Sequence, residues 1–171
     1  MKKSMQRVAS VLVAGMTIGC DQGTKYIAST ILADKTLQSF FGDIFRLLYA
    51  ENTGGFLGLG ANLPPAWRTA FFTVGTGVIL VLFAVILLRF KMSLGQMTGL
   101  TLFVAGGASN WIDRVIRGSV VDFMNIGIGW MRTGIFNVAD AAIMVGIALL
   151  LLPGFRNRGI PDVPSERTRT G

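Results

Sequence analysis

The chain has 171 residues, enough for one domain, with 51% hydrophobic residues, a mean hydropathy of +0.58 and a formal net charge of +7. That apolar share exceeds what a soluble globule needs and puts the chain in a bilayer. One cysteine excludes an internal disulfide, and zero histidines exclude Ser-His-Asp, Cys-His and His-Glu-x-x-His chemistry, so catalysis would rest on carboxylates, Lys, Ser or Thr.

In chain order, Lys2, Lys3 and Arg7 precede an apolar run from Val8 to Cys20. This run is shorter than the ~20 residues a crossing helix needs. A first span therefore continues through Asp21 and Lys25 to about Leu32, giving 8–32. Asp21 and Lys25, four apart on one helix face, are expected to satisfy each other near the outer surface, a site role or plain helix stabilisation. The stretch ending Gly19-Cys20 also looks like the cleavage box of a bacterial lipoprotein precursor. Thr17 stands where a large aliphatic residue is usual and three more apolar runs follow, so Cys20 is read as a small packing residue of the first helix.

The outer segment, 33–68, carries Phe40-Phe41, Ile44-Phe45 and Leu47-Leu48-Tyr49, then Asn52-Thr53-Gly54-Gly55-Phe56. Aromatic and aliphatic residues before a Gly-rich turn suggest short strands in a small sheet on the membrane surface; an irregular loop anchored by aromatics is the alternative. Two uncharged runs follow, read as spans 69–88 and 92–112, joined by the basic connection Arg89-Phe90-Lys91. The last span, 133–153, holds a single charge, Asp140, and ends at Pro153 before Arg156 and Arg158. The expected fold is an all-α integral membrane protein: four transmembrane helices with a small extracytoplasmic β-sheet or cradle. A membrane domain, 1–155, precedes a tail, 156–171, that reads as disordered.

Basic residues near span ends are retained in the cytoplasm. The amino end, the Arg89–Lys91 connection and the tail fall on one face, so both termini are expected in the cytoplasm. The basic excess is thus a topology signal, and no nucleic-acid partner is expected.

An Asp at the centre of a span costs roughly 2.5–3.5 kcal/mol on insertion scales, so Asp140 asks for a reason. If its helix starts near Thr133, it lies about 10 Å inward of the outer end. The third span ends in Asn110-Trp111-Ile112-Asp113-Arg114, and a following outer turn holds Val120-Val121-Asp122-Phe123, which brings three aspartates to one membrane level. Two close carboxylates cannot both ionise easily, so one can keep a proton while the other acts as base toward water. Structural pairs with Arg114, Arg117 or Arg132, and a proton or ion pathway, are the competing readings.

Taken together, these blocks resemble the lipoprotein signal peptidases, the type II signal peptidase family. The matching motifs are Asp21-Gln22-Gly23-Thr24-Lys25, Asn52-Thr53-Gly54, Asn110-x-x-Asp113-Arg114, Val121-Asp122-Phe123 and Phe136-Asn137-Val138-Ala139-Asp140, in order over nearly the whole chain. The resemblance implies an aspartic endopeptidase that cuts before a diacylglyceryl-modified cysteine, inhibited by globomycin, at the outer face of the bacterial inner membrane. Asp122 and Asp140 would be its catalytic dyad. Asn52, Gly54, Asn110, Arg114 and Asn137 would line or support the site, with Asp113 as a helper. Prolipoproteins and membrane lipids are the implied partners of a monomer, with no cofactor and no metal. The chain departs from the pattern in two places: Phe56 comes one position early, and Ser109 occupies a position that is usually Gly.

Overall fold

The computed structural model describes residues 3–55 and 58–152. The tail 156–171 and the displaced aromatic Phe56 lie outside the described residues. Helix α1, Lys3–Ile31, is continuous through the Gly19-Cys20 box. Its buried positions Asp21, Lys25 and Ala28, followed by Leu32 just past its end, recur at helical spacing and form one stripe. Val8, Val11, Leu12 and Met16 are exposed, so apolar groups face outward and two charges face inward, the inverse of a water-facing helix. Cys20 is exposed too, where a small packing residue was expected.

The next helix starts at Pro65, four residues earlier than the expected 69, because proline at the first helical turn is pre-set in φ and lacks only a donor the helix does not need. It comprises α2 (Pro65–Arg68), a π-helical stretch (Thr69–Gly75) and α3 (Thr76–Arg89). This unit, Pro65–Arg89, is the one described helix long and apolar enough to cross a membrane on length and composition alone. Of the four expected spans, the other three fall short for identifiable reasons. Helix α1 and helix α4, Leu94–Arg117, have the length but carry inward-facing polar groups, and α5, Val138–Leu151, is apolar but only 14 residues long.

Helix α4 begins on a capping box, Ser93 with Gln96, and runs to Gly118, whose φ of 76° ends it in the left-handed region. It therefore extends five residues past the expected limit at 112. Helix α5 begins at Val138, not near Thr133. Residues before it are extended instead: Phe136 bridges to Met124, and Asn137 with Asp140 forms the capping box that starts the helix. Asp140 accordingly sits in the first turn of α5, shallower than the expected ~10 Å inward.

Helices α4 and α5 pack closely because the contact is built from small residues. A Cβ at Gly106 would lie 2.5 Å from the Ala139 carbonyl oxygen, and one at Gly146 would lie 2.6 Å from that of Gly99.

The small sheet expected beside the helices is present, as four antiparallel strands. Strand β1 (Gln38–Phe40) pairs with β2 (Phe45–Asn52), β2 with β3 (Val120–Ile128), and β3 with β4 (Met131–Arg132). The first two strands come from the outer segment as expected. The rest come from 120–132, which was expected to be a turn; Val120, Val121, Asp122 and Phe123 are all buried, so both faces of β3 are covered where it begins. Asp43 ties the sheet's end together: its carboxylate takes two bonds from Arg46, and Arg132 donates to its backbone oxygen at 2.7 Å. The Arg46 guanidinium, then Ser39, hold Asp43 well below the usual carboxylate range.

Candidate active site

Strand alternation sends Val120 and Asp122 toward α4 and α5 and Phe123 to the opposite face, where it packs with Ala28 of α1 and Leu32. Asn52, at the end of β2, donates at 3.0 Å to Asp122 Oδ2 and at 3.0 Å to the Gly55 carbonyl, while its own oxygen accepts the Gly54 N–H at 2.9 Å. One asparagine thus shapes the turn and holds the acid. Gly54 has to be small there, since a Cβ would lie 2.5 Å from the Leu59 carbonyl oxygen.

From the other side, the fully buried Asn137 donates to Asp122 Oδ1 at 2.7 Å, and its oxygen caps α5 by accepting the Asp140 N–H at 2.9 Å. Asp140 returns the bond, its Oδ2 accepting the Asn137 N–H at 3.2 Å, and its Oδ1 accepts from Asn110 at 2.9 Å. Every oxygen of Asp122 and Asp140 therefore has an amide donor, and among the described residues neither acid has an ion-pair partner within 4 Å. The expected alternative of Asp–Arg ties does not describe them: Arg114 donates to the Gly54 carbonyl at 2.7 Å, and Arg132 goes to Asp43.

Both carboxylates line one cavity of about 400 Å³ between α3, α4, α5 and the sheet. Asn52, Asn110 and Arg114 complete its polar part; Phe72, Val120, Ile143, Met144 and Ile147 make the rest apolar. Burial, and next the charge of Asp140, push the Asp122 carboxyl up to about 6, against the pull of the Asn52 and Asn137 donors.

Asp21, Lys25 and Asp113 form a second cluster behind this one. The Lys25 ammonium lies 2.6 Å from Asp21, 2.8 Å from Asp113 and 2.7 Å from Asn110 Oδ1, with Lys25 and Asp21 wholly excluded from solvent. The expected pair near the surface is thus a buried three-helix tie. Asp21 also accepts the Ala139 N–H at 2.8 Å, which brings a carboxylate to the amino end of α5. Ser109, the departure from the family pattern, donates to Asp21 at 2.8 Å and accepts from Gln22 at 3.0 Å. A relay follows from donor chemistry alone. An ammonium only donates, so Asn110 must turn its oxygen to Lys25, and its NH₂ group then faces Asp140.

All ten sequence-selected residues, Asp21, Lys25, Asn52, Gly54, Asn110, Asp113, Arg114, Asp122, Asn137 and Asp140, gather at the sheet end of the helices. Sequence reasoning missed Gln22, whose amide reaches Asp113 at 3.2 Å, and the apolar cavity wall. Ile143, Met144 and Ile147 follow Asp140 at i+3, i+4 and i+7, and that face was readable in the sequence.

The fold is shared with solved proteins. One bacterial membrane enzyme, determined by the in meso method at 2.3 Å, superposes with a TM-score of 0.73 at 29% identity, covering 83% of this chain and 84% of that one. A second, at 1.9 Å, gives 0.72 at 28% identity, covering 83% and 89%. The chain therefore shares its helical frame with these bacterial membrane enzymes. Residues 13–156 match the family model described as signal peptidase (SPase) II, and the chain belongs to that family. Proteins named lipoprotein signal peptidase from Borrelia hermsii and Syntrophus aciditrophicus are each 33% identical to it, over 85% and 89% of this chain and 88% and 94% of their own lengths. A namesake from Brevibacillus brevis is 34% identical over 84% of this chain and 93% of its own length.

Proposed function

We propose that this signal peptidase II removes the signal peptide of prolipoproteins with Asp122 and Asp140 as its catalytic pair, cutting before the diacylglyceryl cysteine. The observation that carries the reading is two carboxylates held by amides, with no ion-pair partner within 4 Å among the described residues, over one cavity with an apolar wall. In this reading a water sits between them. The ionised acid takes a proton from the water, and the oxygen attacks the scissile carbonyl carbon. The protonated acid gives its proton to the carbonyl oxygen. Collapse of the tetrahedral intermediate then breaks the C–N bond, with the acquired proton passed to the leaving nitrogen. The pair is assigned one resting proton between its two carboxyls, because burial and a facing acid favour a neutral form.

The protein spans the bacterial inner membrane four times in this proposal, through α1, the helix at Pro65–Arg89, α4 and α5, with both termini cytoplasmic and the sheet outside. Two features support it. Apolar side chains are exposed along these helices, and basic residues Arg7, Arg89 and Lys91 gather at the end opposite the sheet. The apolar cavity wall receives the signal helix and acyl chains. The protein acts as a monomer without a cofactor. Incubation of the purified protein with a diacylglyceryl precursor peptide tests the reading: a product shortened by the signal peptide, blocked by globomycin, is expected. An intact precursor with folded protein would overturn it.

A further inference from the structure

A second cavity, of about 380 Å³, lies beside the first and shares Phe72 and Arg114 with it. Arg68 forms its other cationic wall, and Thr53, Thr69 and Thr73 add polar positions. The Nε nitrogens of Arg68 and Arg114 are buried without a hydrogen-bond acceptor. Neither guanidinium has an acidic partner within 4 Å, and no acidic residue lines the cavity, among the described residues. Two guanidiniums at one hollow, with buried donors facing no acceptor, call for an anion, since a buried donor left unmade costs its full desolvation. A guanidinium fork matches phosphate oxygens in particular.

The depth of the cavity says where that phosphate comes from. Trp67, adjacent to Arg68, is 56% exposed and stacks on Phe71 at 5.5 Å, an aromatic pair at the start of the long apolar helix Pro65–Arg89, where headgroups meet hydrocarbon. On the α4 side, Val115 and Ile116 are exposed and offer acyl chains a flank. From this geometry we propose that the Arg68–Arg114 cavity binds the phosphodiester of an anionic phospholipid of the sheet-side leaflet, beside the catalytic cavity. The inference rests on the peptidase reading only in placing that leaflet outside.

The test measures lipid binding and cleavage separately. Purified wild-type, Arg68→Gln and Arg68→Lys proteins in detergent are titrated with dioleoylphosphatidylglycerol, and bound lipid is read by native mass spectrometry. Wild type is expected to retain the lipid, Arg68→Gln to bind about ten-fold more weakly and Arg68→Lys to fall between. Arg89→Gln, at the opposite end, should bind as wild type. All should cleave a diacylglyceryl precursor peptide at the wild-type rate in lipid-free detergent. Equal lipid binding by wild type and Arg68→Gln would overturn the proposal. So would equal competition by inorganic phosphate, which would mean a free-anion site, or a raised KM for the peptide in Arg68→Gln with lipid binding intact, which would mean that Arg68 reads the substrate. Loss of cleavage in wild type alone bears on the peptidase reading and leaves the lipid result standing.

Discussion

Two groups of acids lie within the same few turns of helix and strand, and they are treated oppositely. Asp21 and Asp113 share one lysine, wholly shielded from solvent, and take further bonds from Ser109, Gln22 and the Ala139 N–H. Asp122 and Asp140 receive neutral amide donors only and face a cavity. A carboxylate locked to an ammonium is useful as a fastener, because both charges are satisfied where water does not reach. One held by amides keeps its geometry while its proton stays exchangeable, which is what acid–base chemistry requires. Lys25 joins the groups without neutralising the second, because Asn110 stands between as an oriented dipole.

The contrast breaks most visibly at the proposed pair. Asp122→Asn and Asp140→Asn should each lower the cleavage rate by a factor on the order of 10³ or more while the protein stays folded in detergent, as measured by peptide turnover and thermal unfolding. Near-normal turnover in either would remove that acid from the mechanism.

In the fastening group the loss should appear as stability. Lys25→Met strands two buried carboxylates and should cost about 3–5 kcal/mol in unfolding free energy. Asp113→Asn leaves Lys25 paired with Asp21, so its cost should be clearly smaller; an equal or larger cost would mean that Asp113, not Lys25, organises the cluster.

A third expectation uses the raised carboxyl of Asp122. Its folded value of about 6 exceeds the ordinary 3.8, so between these pH values the native state holds a proton that the unfolded chain releases. That contribution is complete below about pH 4 and is lost as pH rises through 6, on the order of 3 kcal/mol in all. Asp122→Asn should flatten this slope in unfolding measured from pH 4 to 7. The free enzyme's kcat/KM should fall on its alkaline side with an apparent pKa near 6 that belongs to the pair.

The smallest change is Ser109→Gly, which restores the residue usual in the family and removes a hydrogen bond to Asp21. About 2 kcal/mol of stability should go, with kcat unaltered. A changed kcat would place Ser109 closer to the chemistry than its contacts suggest.

The chemistry-bearing residues were legible because each sits in a short motif, yet the distances between motifs were not. Asp21 and Lys25 read as a local pair, since nothing in the sequence announces that Asp113, on another helix, completes it. Strand β3 was hidden because both of its faces are covered at its start: Val120-Val121 breaks the alternation that marks a half-buried strand. The late start of α5 was readable in principle. The Asn137…Asp140 spacing is a helix-start signal, but the apolar run from Thr133 outweighed it. Arg68 drew no attention because a lone arginine at a span end ordinarily reports topology.

Asn137 carries a consequence beyond its bonds. The same amide that nucleates α5 also grips Asp122, so the strand acid, already held by Asn52 on one oxygen, gains its second amide only once the final segment has coiled. A newly made chain whose last quarter has yet to fold holds an unfinished scissors with one blade loose. Proteolytic competence would then arrive together with complete assembly, which spares neighbouring polypeptides in a crowded bilayer from a half-built hydrolase.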